Sequence, residues 1–136
     1  MFPLETVLFP SAVLPLRVFE PRYRKMFEDL LVGNPEFGVV LIERGSEVGG
    51  GEVRSGIGTM ARILEARESG EGHWAVVAMG LQRIMVERWL PDDPYPVAEV
   101  RPFPDRPGPS VDPASYAALR DRLRCLLDGL VALGET

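Results

Sequence analysis

The first third of the chain changes from an extended to a helical spacing of apolar residues. Residues 4–9 and 13–19 are two short apolar segments interrupted by prolines, which exclude a helix and suit strands and turns. From Pro21 onward, apolar side chains recur at i, i+3, i+4, i+7 and i+8. This spacing predicts a short amphipathic helix that begins at Pro21 and ends before Gly33. The apolar positions of this helix are Tyr23, Met26, Phe27, Leu30 and Leu31.

The middle of the chain has the apolar alternation that is typical of β-strands. Gly80 interrupts the longest extended stretch, so we expect a bend or bulge there. Residues 69–72 predict the turn of a hairpin, and residues 43–56, which include a run of three glycines, predict a loop. The predicted strands are residues 37–42, 57–67, 73–78, 81–90 and 96–103.

The end of the chain is a stiff linker followed by a helix. Prolines are dense before Asp112, which is a good N-cap, and Pro113 suits the first helical turn. We therefore predict an α+β, mainly β fold of about six strands with one short inserted helix and a C-terminal amphipathic helix. Its parts are a β domain over residues 1–104, a linker over 105–111 and a helix over 112–134.

The predicted C-terminal helix carries an apolar stripe whose members are three and four residues apart, as in three heptads of a coiled coil. Two interpretations are open. The stripe packs against the domain's own body or a neighbouring helix, or it makes an intermolecular contact, such as a homodimer. The stripe residues are Tyr116, Leu119, Leu123, Leu126, Leu130 and Leu133.

Composition narrows the class of protein. The 136 residues are 46% hydrophobic and 26% charged, which fits one globular domain. The net charge of −5 argues against a protein whose whole surface binds the phosphate backbone of a nucleic acid. A single cysteine, Cys125, and a single histidine, His73, cannot form an internal disulfide or a Cys/His metal site. We expect a cytoplasmic protein without a membrane segment, because no apolar run approaches the roughly 20 residues that a span requires.

The candidate catalytic residues of the chain lack the sequence context that catalysis requires. The only lysine, Lys25, is not in the context of a P-loop or of a Ser–Lys dyad, and on a helix it fits a solvated charged face. The paired carboxylates Glu28–Asp29 and Asp92–Asp93 fit surface and turn positions better than acid/base catalysis. We expect no catalytic residue, no metal and no cofactor.

Six blocks of sequence, taken in order, resemble the substrate-binding N-terminal domain of Lon proteases. The block Phe-Glu-Pro-Arg-Tyr-Arg at residues 19–24 is especially similar to stand-alone bacterial members of that family. The blocks extend over about three quarters of the chain. They are residues 3–4 together with 8–10, then 14–24, 37–40, 56–63, 80–83 and 95–100.

This resemblance implies a PUA-like pseudobarrel and a non-catalytic module that binds unfolded or tagged protein segments, in partnership with a protease or a chaperone. Lon proteases also contain an ATPase with a P-loop and a Ser–Lys peptidase domain. Neither motif occurs in these 136 residues. The resemblance therefore predicts recognition of protein segments without cleavage.

Peptide binding requires an apolar or aromatic groove and often an open strand edge. Phe19, Arg22 and Tyr23, in the most distinctive block, are the first candidates. Trp89 and Tyr95, on either side of a proline turn, are candidates for a second aromatic patch. The first three residues also have a structural interpretation, because they begin the helix and Arg22 has acidic neighbours.

RNA binding is the alternative function. Some PUA-like folds bind RNA, and residues 17–25 carry four positive charges against one negative charge. The net negative charge and the interleaved acidic residues argue against this alternative.

Overall fold

The computed structural model describes residues 1–45 and 53–134, which form six β-strands and two α-helices. The mainly β class, with one inserted helix and a C-terminal helix, is confirmed. In chain order the elements are β1 (Phe2–Leu4), β2 (Val13–Val18), α1 (Pro21–Val32), β3 (Glu36–Arg44), β4 (Val53–Glu68), β5 (Trp74–Leu90), β6 (Val97–Pro102) and α2 (Pro113–Ala132).

The six strands form one mixed sheet that curls into a half-barrel. The strand order is β1-β3-β4-β5-β2, with β6 also paired to β5. β1 lies parallel to β3, and the other pairs are antiparallel. The two ends of this path are therefore β1 and β2, which follow each other in the chain but have no strand pairing with each other among the described residues.

The long strand β5 changes partner at Gly80. Its first part pairs with β2 and its last part with β6 on the same edge, while β4 follows the opposite edge. The Gly80 N–H donates to the Ala12 carbonyl at 2.9 Å, and the Ser11 N–H donates to the Gly80 carbonyl at 2.8 Å. A side chain at position 80 would meet the Phe9 backbone, so glycine is needed there for close approach. The β4–β5 register shifts beside Gly80, which confirms the predicted bulge.

Helix α1 buries the first part of the face that its spacing predicted, whereas Leu30 is half-buried and Leu31, in the last turn, is 41% exposed. Tyr23, Met26 and Phe27 are its buried residues. The Phe2 ring lies 4.4 Å from Tyr23 and 6.0 Å from Phe27, and Phe37 lies 5.2 Å from Phe27, measured between ring centroids. These tilted and edge-on contacts join α1 to β1 and β3, and they fix the position of the helix start beside β2.

In the first apolar segment only Phe2–Leu4 form a strand, and the chain from there to residue 9 is irregular, with Leu8 buried and Phe9 68% exposed. The predicted loop over residues 43–56 was too long at both ends, since residues 43 and 44 belong to β3. Residues 53–56, predicted as loop, begin β4, because pairing with the end of β3 extends the strand into that segment. The glycine run at 49–51 lies outside the described residues.

The chain forms two compact units, Met1–Asp105 and a second unit from Arg106 onward. The second unit contains α2, which begins after the predicted N-cap: the Asp112 carboxylate accepts the Ser115 N–H at 3.3 Å. Gly134 follows the helix with a φ of 81°, where glycine costs least. Neither helix in the described part of the chain is long and apolar enough to cross a membrane.

Candidate functional site

The two end strands of the sheet flank an apolar groove of about 340 Å³, which we call the edge groove. It is lined by Phe2 and Leu4 of β1, by Thr6, by β2 from Leu14 onward, and by Phe19, Glu20 and Tyr23. Its volume lies at the low end of the roughly 300–1,000 Å³ that is typical of ligand pockets. The edge groove therefore exists because β1 and β2 do not close the half-barrel.

Strand β2 presents one edge to this groove. Because the Gly80 N–H donates to Ala12, the alternation of an antiparallel ladder makes Leu14, Leu16 and Val18 the residues that hydrogen-bond to β5. The backbone groups of the residues between them then point to the other edge. Pro15 is one of these residues, and its lack of an N–H suits a position that need not donate to β5.

The side chains of Phe19 and Tyr23 both line the edge groove, as the sequence placed them together, but they differ in exposure. Phe19 is 49% exposed at the rim. Tyr23 is only 3% exposed and packs on Phe2, with the Arg22 guanidinium 4.5 Å from its ring centroid. Phe19 is thus available for contact, whereas Tyr23 forms part of the floor and of the core.

Arg22 is not among the residues that line the edge groove. Its Nε donates to Glu20 at 3.1 Å, and its Nη1 lies 4.0 Å from the Asp92 carboxylate. Glu20 is one of the acidic neighbours of Arg22 in the sequence, so this ion pair agrees with the structural interpretation of Arg22. The side chain of Arg22 is only 18% exposed.

Trp89 and Tyr95 have different partners. The Arg54 guanidinium lies 4.6 Å from the Trp89 ring centroid and donates to Asp92 at 3.1 Å. Tyr95 packs against the core and donates its hydroxyl to Asp29 at 2.8 Å. Neither side chain lines the edge groove, so the five predicted site residues do not meet at one place.

Asp29 accepts two hydrogen bonds, from Lys25 at 2.8 Å and from Tyr95. The bond from Lys25 is the main cause of the lowered pKa of Asp29, and the bond to Asp29 raises the pKa values of Lys25 and Tyr95. Lys25 is exposed, whereas Asp29 and Tyr95 are partly buried. Lys25 therefore occupies the solvated, charged face that its helical position predicted.

Arg17 was not singled out as a site residue by its sequence context. It lies on β2 between Leu16 and Val18, is exposed, and lines the edge groove. Among residues 1–45 and 53–134 its side chain has no ion pair. The inward spacing of Leu14, Leu16 and Val18 could have shown that Arg17 points outward, but not that its strand ends the sheet.

The described residues hold no group of three or more His, Cys, Asp or Glu side chains placed to bind a metal ion. Cys125 is a free, exposed thiol on α2. What the site offers is an apolar groove with main-chain hydrogen-bonding groups along one side. This chemistry suits recognition of another chain.

Three comparisons relate the chain to known proteins. A family model described as the ATP-dependent protease La (LON) substrate-binding domain matches residues 1–133. The Lon protease of Anaeromyxobacter dehalogenans is 30% identical over 130 residues, which are 94% of this chain and 15% of that protein. The chain thus spans about one seventh of the length of that curated relative.

Solved structures show the same relationship. The crystal structure of a Lon N-terminal domain protein from Xanthomonas campestris is 31% identical, with a TM-score of 0.71, and the match covers 93% of this chain and 71% of that one. The N-terminal domain of a Mycobacterium avium complex Lon protease shares the fold at 18% identity, with a TM-score of 0.60 and coverage of 97% and 68%. Because the family model matches nearly the whole chain, this protein belongs to the Lon substrate-binding domain family.

Proposed function

We propose that this domain binds unfolded or tagged segments of other proteins in the edge groove and does not cleave them. The observation that carries the proposal is that the groove is apolar and lies beside an edge of β2 that pairs with no strand in the described part of the chain. An extended segment can place apolar side chains in such a groove while its backbone adds to the sheet as another strand. Unfolded segments offer both features, whereas folded proteins bury them.

Phe19 is the aromatic side chain that we expect to contribute most to binding. It is half exposed at the rim, so a bound segment would cover it. Tyr23 would contribute through the shape of the floor. Because Tyr23 is buried against Phe2, replacing it would also damage the core, and it is unsuitable as a binding probe.

The experiment is titration of the purified chain with a fluorescently labelled, permanently unfolded protein, followed by gel analysis of the same mixture. We expect saturable binding without fragments, with or without ATP. Phe19→Ala should weaken binding about five- to thirtyfold, the range for loss of a well-buried aromatic contact. Phe9→Ala is the matched control, because Phe9 is 68% exposed but does not line the edge groove.

Equal loss of binding in both variants, or no loss in Phe19→Ala, would contradict the edge groove as the binding site. Cleavage that persists after removal of contaminating proteases would contradict the non-catalytic assignment. If the domain binds segments without cleaving them, we expect its partners in the cell to include a protease or chaperone that receives the bound segment.

RNA binding is less well supported. Within residues 17–25, Arg22 pairs with Glu20 and Lys25 pairs with Asp29, so two of the four positive charges are already compensated. Affinity for RNA that rises steeply as salt is lowered, and is lost in Arg22→Glu, would favour this alternative over peptide binding.

A further inference from the structure

We propose that Arg17 gives the edge groove a sequence preference: a bound extended segment carries Asp or Glu opposite Arg17 and an apolar residue on each side of that acid. This inference rests on the proposed function, because it specifies which segments the edge groove accepts. Three features support it: the charge around Arg17, the direction in which each residue of β2 points its backbone N–H and carbonyl, and the alternation of side chains across a sheet.

The Arg17 guanidinium lies at the end of the sheet and forms no ion pair with any residue of the described ranges. Its neighbours across the strands, in register, are Ala75 on β5 and then Arg67 on β4. Ala75 is too small to shield Arg17, and Arg67 is already paired with Glu65 at 2.6 Å. A carboxylate on an added strand would therefore find a free partner in Arg17.

The backbone of Arg17 points to the same free edge. The hydrogen bond between the Gly80 N–H and the Ala12 carbonyl shows that alternate residues of β2, counted from Ala12, bond to β5. Arg17 lies between two such residues, so its N–H and its carbonyl both point away from β5. A residue directly opposite on an antiparallel added strand would exchange both hydrogen bonds with Arg17. Its side chain would lie on the same face of the sheet as the guanidinium, within reach of an ion pair.

The residues before and after this acid would point to the other face, because side chains alternate along a strand. On that face of β2 lie Leu16 and Val18, which are 8% and 1% exposed and line the edge groove. The preferred core of the segment is therefore apolar–acidic–apolar. A basic residue at the centre would repel Arg17.

The test uses three extended peptides that differ only at the centre of an apolar–X–apolar core, with X as Glu, Gln or Lys. At about 0.15 M salt, where exposed charges are screened beyond roughly 8 Å, the overall charge of −5 has little influence. We expect the Glu peptide to bind about two- to fivefold more tightly than the Gln peptide, as for an exposed ion pair, and the Lys peptide to bind most weakly.

Arg17→Gln should remove this ranking, and Arg17→Glu should reverse it. Arg101→Gln is the matched control. Like Arg17, Arg101 is an exposed arginine on an edge strand, because β6 pairs only with β5 among the described residues. Retention of the ranking in Arg17→Gln, or its loss in Arg101→Gln, would overturn the assignment to Arg17.

Backbone methylation of the peptide tests the strand register separately. N-methylation of the central acid removes the N–H that would donate to Arg17 and should abolish binding. N-methylation of the next residue, whose N–H points away from β2, should have a smaller effect. Equal effects of the two methylations would overturn the proposed register.

These experiments distinguish a failure of the Arg17 preference from a failure of segment binding by the edge groove. If the Glu, Gln and Lys peptides bind equally and binding still depends on Phe19, the edge groove binds segments but Arg17 does not select them. If none of the peptides and no unfolded protein binds, both the proposed function and the preference are wrong.

Discussion

The Thr59 hydroxyl donates a 2.6 Å hydrogen bond to the Leu8 carbonyl, which ties the middle of β4 to the irregular segment between β1 and β2. Thr59 is 5% exposed and is the one buried polar residue of the described core. This bond helps to hold in place the segment that leads from one side of the edge groove to the other.

Replacing Thr59 by Val should destabilise the domain. The change keeps the shape of the side chain but leaves the buried Leu8 carbonyl without this donor, which costs about 1–3 kcal/mol. Urea unfolding monitored by circular dichroism would measure the loss. Thr59→Ser keeps the hydroxyl and should retain more stability than Thr59→Val; equal stability of wild type and Thr59→Val would contradict this account.

Gly58 and Gly56 provide a matched pair on β4. A Cβ at Gly58 would collide with the Val39 carbonyl oxygen and would lie 2.7 Å from Val40 Cγ1, whereas nothing lies within 4 Å of a Cβ at Gly56. Gly58→Ala should therefore lower the free energy of unfolding by about 1–3 kcal/mol or more. Gly56→Ala should change it by less than about 1 kcal/mol. Thermal unfolding of both variants would check this difference, and similar melting temperatures would rule it out.

The α-amino group of Met1 should make stability depend on pH. It is buried and donates to the Pro96 carbonyl at 2.8 Å, and burial, with help from the charge of Arg54, lowers its pKa from 8.0 to about 5. The unfolded chain takes up this proton as pH falls below 8, and the folded chain does so only near pH 5. Stability should therefore be greatest above pH 8 and fall by up to about 4 kcal/mol toward pH 5.

Unfolding free energies measured between pH 8.5 and 5, on a roughly unit-spaced series, would test this dependence. A chain with two extra residues ahead of Met1 places its amine in solvent, so the same pH series should show a smaller slope. An equal slope in both chains would assign the dependence to another group.

The apolar stripe on α2 leads us to expect self-association. Its six side chains are between 48% and 81% exposed, which is unusual for a regular heptad pattern. Sedimentation velocity over a range of concentrations should show a dimer that dissociates in Leu123→Lys. Val131→Lys is the control, because Val131 is 65% exposed but lies off the stripe. A monomer at every concentration would contradict the homodimer.

Local patterns were sufficient for several elements. The spacing of Tyr23, Met26 and Phe27 predicted both α1 and its buried face, and the turn at residues 69–72 predicted the β4–β5 hairpin. These features depend on neighbours within a few residues, so the order of side chains alone specifies them. The same helical spacing already implied that Tyr23 belongs to the core, although its position in the distinctive block made it a binding candidate.

Other features depended on residues far apart in the chain. Trp89 and Tyr95 flank one turn, yet Trp89 stacks with Arg54 of β4 and Tyr95 bonds to Asp29 of α1. The partners of these side chains are about 35 and 66 positions away, so the turn itself holds no information about them.

The order of residues was enough to predict a mainly β domain of the Lon substrate-binding type, with α1 in place and without the motifs of an ATPase or a peptidase. The alternation along β2 also determined that Arg17 faces away from Leu16 and Val18. The folded sheet was needed to show that β1 pairs with β3 and β2 with β5, which leaves the edge groove between β1 and β2. Hydrogen-bonding groups repeat identically along every strand, so the packing of the whole sheet selects which edges remain open.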